Sequence, residues 1–116
     1  MFKKHTVKHL LSFYLIGILS IATADTNDAT FIITMNDGVV TPNQIDAKAD
    51  STIVIKVTNT GKSTAEFESK LLHIEKVLMS GASATFTFKN LAPGDYEFVD
   101  EFTEDQKTAH GFISVK

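Results

Sequence analysis

"LAPGDYEFVDEF", residues 91–102, decides how the rest of the chain is read. The Pro93–Gly94 pair supplies turn chemistry. After it, Tyr96, Phe98 and Asp100 alternate with Glu97, Val99 and Glu101. Period two with aromatic residues marks a half-buried strand. If Tyr96 and Phe98 face a core, Asp100 faces it as well. A buried aspartate is costly without a partner. Glu101 then points the other way. The two carboxylates are either ordinary solvated charges at a strand end or parts of a site, and the functional question turns on which.

The same alternation recurs along the chain. Phe31, Ile33 and Met35 alternate in "FIITM", and Ile53, Ile55 and Val57 in "TIVIKVTN". Ala84, Phe86 and Phe88 alternate in "ATFTFK", and "GFISV" closes the chain. Between these runs, "NDG" at 36–38, "NTGK" at 59–62, "MSGAS" at 79–83 and "APGD" at 92–95 are turn chemistry. Pro42 in "TPNQI" marks an edge or an irregular strand. "TAEFESKLLHIEKVLM" is rich in helix formers, yet it reads as extended over Ala65–Ser69 and again over Ile74–Met79, with a loop or short helical turn between. Short strands with turns every 8–12 residues, in a chain of 116 residues, predict an all-β antiparallel sandwich of seven or eight strands.

The N-terminus reads differently. Residues 1–9 are basic, residues 10–22 are almost wholly apolar, and "ATA" at 22–24 offers small residues at a cleavage spacing. This is the pattern of a signal peptide over 1–24, with a single domain over 25–116. The apolar run is too short for an ordinary membrane span of roughly 20 residues. Export to the periplasm is expected, with an uncleaved anchor as the other reading. After residue 24 there are eight lysines, no arginine and fourteen acids, for a charge of −6 with His neutral. Such a surface argues against nucleic acid, whose phosphates need Lys and Arg, and offers nothing to an anionic membrane. The chain has no Cys. That removes disulfides, a thiolate nucleophile, Cys-zinc sites and iron–sulfur clusters.

No motif nominates an enzyme. There is no G-x-S-x-G elbow and no glycine-rich phosphate cradle. The carboxylates say more. In "AEFES" a strand sets Glu66 and Glu68 on one face and Phe67 on the other. Two like charges so close repel unless water or a cation neutralises them, so that face is either simply wet or an ion site. Glu75 poses the same choice. Met35, His73 and Met79 read first as packing or surface residues. His110, just before the last strand, has a lesser claim as a ligand.

Leu91, Pro93, Gly94, Tyr96 and Phe98 form "L-x-P-G-x-Y-x-F", which resembles the approach to the metal site of cupredoxins, the copper-binding sandwiches. With "AEFES", "EKV" and "GFISV", the run from Ala29 to Lys116 is similar to the cupredoxin-like domains of bacterial iron uptake, the EfeO type. The resemblance implies a Greek-key cupredoxin-like β-sandwich. It also implies that the blue-copper ligands fall at Asp100 for the Cys, near Thr103 for the downstream His, and near Glu66 for the early His. None matches, so a blue-copper centre and its electron-transfer role are ruled out. Some relatives carry Cys at the positions of Val40 and Asp100, and others "EFH" where this chain has Glu101, Phe102 and Thr103. The acidic pair of the iron-uptake branch matches Glu66 and Glu68. The metal ligands implied are thus Glu66, Glu68 and Asp100, with Glu101 and His110 assisting, for an iron or copper ion. Oxygen donors suit Fe³⁺, Mn²⁺ or Ca²⁺, and a histidine adds affinity for Cu²⁺, Fe²⁺ or Zn²⁺. The partner implied is an iron permease or a larger periplasmic uptake component. The rival expectations are a metal-free interaction module that has lost its site, and a redox partner with a non-thiolate copper centre.

Overall fold

The computed structural model describes residues 28–116, so the signal peptide expected over 1–24 lies outside the described residues. Among the described residues, nine strands form two sheets. The first sheet contains β1 (Ala29–Asn36), β2 (Val39–Thr41), β4 (Thr52–Asn59) and β7 (Ser83–Lys89), in the order β2-β1-β4-β7. The second contains β3 (Gln44–Ala47), β5 (Ala65–Ser69), β6 (Ile74–Leu78), β8 (Gly94–Asp100) and β9 (His110–Val115), in the order β3-β9-β8-β5-β6. Short 3₁₀ turns at Glu101–Thr103 and Lys107–Ala109 join β8 to β9.

The expected sandwich is present, with two differences. The sheets are mixed rather than antiparallel: β1 runs parallel to β4, and β3 parallel to β9. The count is nine because the segment around Pro42 forms two strands instead of one. Pro42 has no N–H to give a ladder. The chain therefore leaves the first sheet at Thr41 and joins the edge of the second at Gln44. That change of sheet lays β3 alongside the last strand in the same direction.

Alternation builds the core. Ile33 and Met35 of β1, Ile53, Ile55 and Val57 of β4, Phe67 of β5, Phe98 of β8 and Ile113 of β9 are buried between the sheets. Phe67 lies between Phe86, at a ring distance of 5.8 Å, and Phe98, at 5.3 Å. It thus ties the second sheet to the first through offset aromatic contacts. The hairpin β1–β2 closes on Asp37 and Gly38, both with positive φ (47° and 90°), as an Asp-Gly two-residue turn requires. The Asp37 carboxylate also accepts from the Lys62 and Ser63 amides at 3.0 and 2.9 Å, which holds it below the usual carboxylate range. Buried Asn59 donates to the Ser63 and Leu78 carbonyls and accepts from the Gly61 amide, each at 2.9 Å. "NTGK" is therefore more than a turn: it is a polar clasp that joins three loops.

A carboxylate cluster on the outer face of the second sheet

Register sets out the candidate site. Phe67 pairs with Asp100 and Glu68 with Val99 across β5 and β8. Glu68 also pairs with Glu75, and Glu66 with Val77, across β5 and β6. Side chains alternate between faces, so Glu66, Glu68 and Glu75 stand on the outer face while Phe67 points inward. Glu97 and Val99 of β8 share that outer face, and Glu101 opens the 3₁₀ turn beyond it.

Asp100 is on the other side, 2% exposed. Its inward direction follows from the Tyr96–Phe98–Asp100 alternation, and its partner explains why it is tolerated. Oδ1 accepts from the Glu66 amide at 3.0 Å and from the Phe102 amide at 3.3 Å. Asp100 is thus the N-cap of the Glu101–Thr103 turn and a strap from β8 to β5. A cap aspartate satisfies amides that would otherwise lack acceptors. Its role as found is structural, and it is set apart from the outer glutamates by the sheet itself.

The outer acids do converge. The neighbouring Glu68 carboxyl, with partial loss of solvent and the charges of Glu68, Glu104 and Glu66, raises the pKa of Glu101 from 4.5 to about 7. Glu66 is also raised, first by partial desolvation and then by the charges of Glu75, Glu68 and Asp100. Carboxylates crowded together cannot all ionise cheaply, so one of them keeps its proton to higher pH. The cluster therefore favours whatever positive charge relieves it. Among the described residues, no three His, Cys, Asp or Glu side chains are arranged to hold an ion as they stand.

His110 sits apart from Glu66 and Glu101. It pairs with Val99 across β8 and β9, and its Nδ1 lies 3.5 Å from Glu97 Oε2. Nε2 lies 2.7 Å from the Glu104 carbonyl oxygen. His110 and Glu68 meet only as walls of a cleft of about 330 Å³ that Glu97, Val99 and Glu104 also line. A second cleft of about 500 Å³ shares Glu97 and His110 and extends to Asn43, Gln44, Asp95 and Phe112. Glu97 and Glu104 were not singled out from the sequence. The signal for Glu97 was present, since the alternation that turns Phe98 inward turns Glu97 to the outer face with Val99. Glu104 lies in an irregular loop, where periodicity carries no information.

The residues present do not fit a thiolate copper centre. The inward carboxylate at Asp100 is occupied by backbone amides, and Glu66 faces away from it on the outer side of the sheet.

The family model of the cupredoxin-like domain matches residues 9–115. The uncharacterized protein RP394 of Rickettsia prowazekii is 36% identical over 83 residues. That match covers 72% of this chain, and the chain spans 65% of the relative's length. Among solved structures, the metal-binding domain of the Cu(I)-exporting P-type ATPase CopA of Streptococcus pneumoniae superposes with a TM-score of 0.66 at 14% identity, covering 81% of this chain and 91% of that one. Auracyanin of Roseiflexus castenholzii gives 0.59 at 18%, covering 75% and 96%. A purple cupredoxin of Nitrosopumilus maritimus gives 0.55 at 15%, covering 73% and 98%. These likenesses concern the fold, and with the family model and the strand order they lead to one statement: the chain belongs to the cupredoxin-like domain family.

Proposed function

We propose that this is an exported, periplasmic, non-enzymatic domain that binds a metal ion through carboxylates and serves iron or copper uptake. The observation that carries the reading is the gathering of Glu66 and Glu68 on one face of β5 beside the end of β8, where Glu101 begins the 3₁₀ turn and is raised by its acidic neighbours. A proton relieves the repulsion of Glu68 and Glu101, and a cation can take its place. Glu66, on the same face of β5 as Glu68 and raised in the same direction, is a further donor. Its side chain must turn toward the pair, with water filling the remaining positions. An all-oxygen set of this kind favours a hard ion such as Fe³⁺ or Mn²⁺. Asp100 leaves the ligand set, because its carboxylate already serves two amides. Family membership supports a link to metals in general, and Cu(I) appears in the name of the similar ATPase domain from Streptococcus pneumoniae. The link to iron uptake, and to a permease or larger periplasmic component that would receive the ion, rests on the "EFES" and "EKV" resemblance.

Calorimetric titration with Fe²⁺, Mn²⁺, Cu²⁺ and Fe³⁺ supplied as its citrate complex tests the proposal. Binding that is lost in the Glu66→Gln/Glu68→Gln/Glu101→Gln variant supports it. No heat above buffer for any ion, or equal binding by the variant, contradicts it.

Asp100 itself favours a second reading, a metal-free interaction module. A structural cap stands where relatives of the resemblance have a ligand, as expected if the sandwich outlived its site. Exposed Val77, Leu71 and Phe102 would then be contact residues beside the acids. Unchanged unfolding in strong chelator, with no response to added ions, favours this alternative.

A further inference from the structure

We propose a second cation site, for a divalent first-row transition ion such as Zn²⁺, formed by His110 Nδ1 and Glu97 Oε2 in the clefts on the outer face of β8 and β9. Its two donors are distinct from Glu66, Glu68 and Glu101, although Glu68 also lines one of the clefts. The argument begins with the ring. His110 Nε2 lies 2.7 Å from the Glu104 carbonyl oxygen, and a carbonyl can only accept. Nε2 therefore carries a hydrogen and donates it. In the neutral ring, this leaves the Nδ1 lone pair facing the Glu97 carboxylate, acceptor against acceptor. A proton or a metal ion resolves that contact.

The spacing also suits an ion. Nδ1 and Oε2 are 3.5 Å apart, beyond the usual range of about 2.7–3.2 Å for an N–H···O bond. Two donors each about 2.0–2.2 Å from a tetrahedral zinc stand roughly 3.3–3.6 Å apart. The pair is thus separated by the bite of a four-coordinate ion. The other ring nitrogen is held as in known metal sites, where a ligating histidine donates its second N–H to a carbonyl or carboxylate. An imidazole and a carboxylate together suit zinc and its neighbours better than they suit a hard ion. The remaining positions open on the two clefts, where water completes the shell. The fold holds the donors firmly at one end and loosely at the other. Gly111 lies so close to the Phe98 ring and the Asn43 carbonyl that an added Cβ would come within 2.6 and 2.8 Å of them, which fixes the backbone beside His110. Glu97 is 74% exposed and free to adjust.

The test is a Zn²⁺ titration of the untagged full chain, followed by ¹⁵N resonances of the imidazole rings and by calorimetry. The account expects the His110 Nδ1 resonance to shift while Nε2 keeps its hydrogen. Glu97→Gln, an exposed change that leaves the fold intact, should weaken zinc binding about tenfold or more. His73→Ala should leave it unchanged. The Glu66→Gln/Glu68→Gln/Glu101→Gln variant should change it by less than about threefold in moderate salt, which screens exposed charges. An unshifted His110 ring at millimolar Zn²⁺, coordination through Nε2, or equal affinity in Glu97→Gln overturns the site. Loss of zinc binding in the triple variant but not in Glu97→Gln also overturns it, and leaves the carboxylate cluster standing.

Discussion

Asp100 illustrates how one side chain can hold two elements together. Its Oδ1 serves the Glu66 amide of β5 and the Phe102 amide that starts the 3₁₀ turn. Asp100→Ala strips both amides of their acceptor in a buried place and should cost about 1–3 kcal/mol. Asp100→Asn keeps an acceptor oxygen and should cost less. Urea unfolding of the two variants measures the difference. The acid pair outside has the opposite character. Glu101 is raised from 4.5 to about 7, so the folded chain holds a proton that the unfolded chain gives up. With more protons bound in the native state, stability falls as pH rises between those two values. Thermal unfolding followed from pH 4.5 to 7.5 should show that decline, and Glu68→Gln should flatten it. At this scale the sequence revealed direction but not partners. Alternation turned Asp100 inward and Glu66 and Glu68 outward. Which amide would meet Asp100 depended on the β5–β8 register, and a slip of one residue would have exchanged every neighbour.

The strands were legible where alternation was long and bounded by turns, as in β1, β4, β7, β8 and β9. "AEFES" and "IEKVL" were legible too, against their helix-forming composition, because cross-strand pairing, on both sides of β5 and one side of the edge strand β6, outweighs local propensity. What stayed hidden was pairing direction. Parallel neighbours such as β1 and β4 come from distant parts of the sequence, and no local pattern records them. The split at Pro42 was visible only as an irregular edge. Within the packed layers, Phe67 is the element-level keystone, 1% exposed and in ring contact with Phe86 of the opposite sheet. Phe67→Ala should cost about 3–5 kcal/mol, read from the shift in the denaturation midpoint. Because β5 carries both Phe67 and the glutamates, that variant should also blunt the pH dependence described above.

For the molecule as a whole, the second sheet presents Glu66, Glu68, Glu75 and Glu97 on its outer face instead of gathering them between the sheets. The resemblance implied one ligand set of Glu66, Glu68 and Asp100. The structure divides that set, with Asp100 given to the scaffold and the glutamates to solvent, and it adds Glu97 and Glu104. A cation bound only by the folded chain must raise its stability, by about 2.7 kcal/mol when free ion exceeds the dissociation constant a hundredfold. Melting curves with and without Mn²⁺ or Fe²⁺ should separate accordingly, and the separation should vanish in the Glu66→Gln/Glu68→Gln/Glu101→Gln variant. The most direct test reads the pair itself, by following the Glu101 carboxyl carbon by NMR through a pH titration, with and without a diamagnetic ion such as Ca²⁺. A midpoint near neutrality that drops on adding the ion, and returns to the ordinary carboxylate range in Glu68→Gln, is the predicted result. An ordinary midpoint in the wild-type chain, indifferent to both the ion and Glu68, would contradict the account.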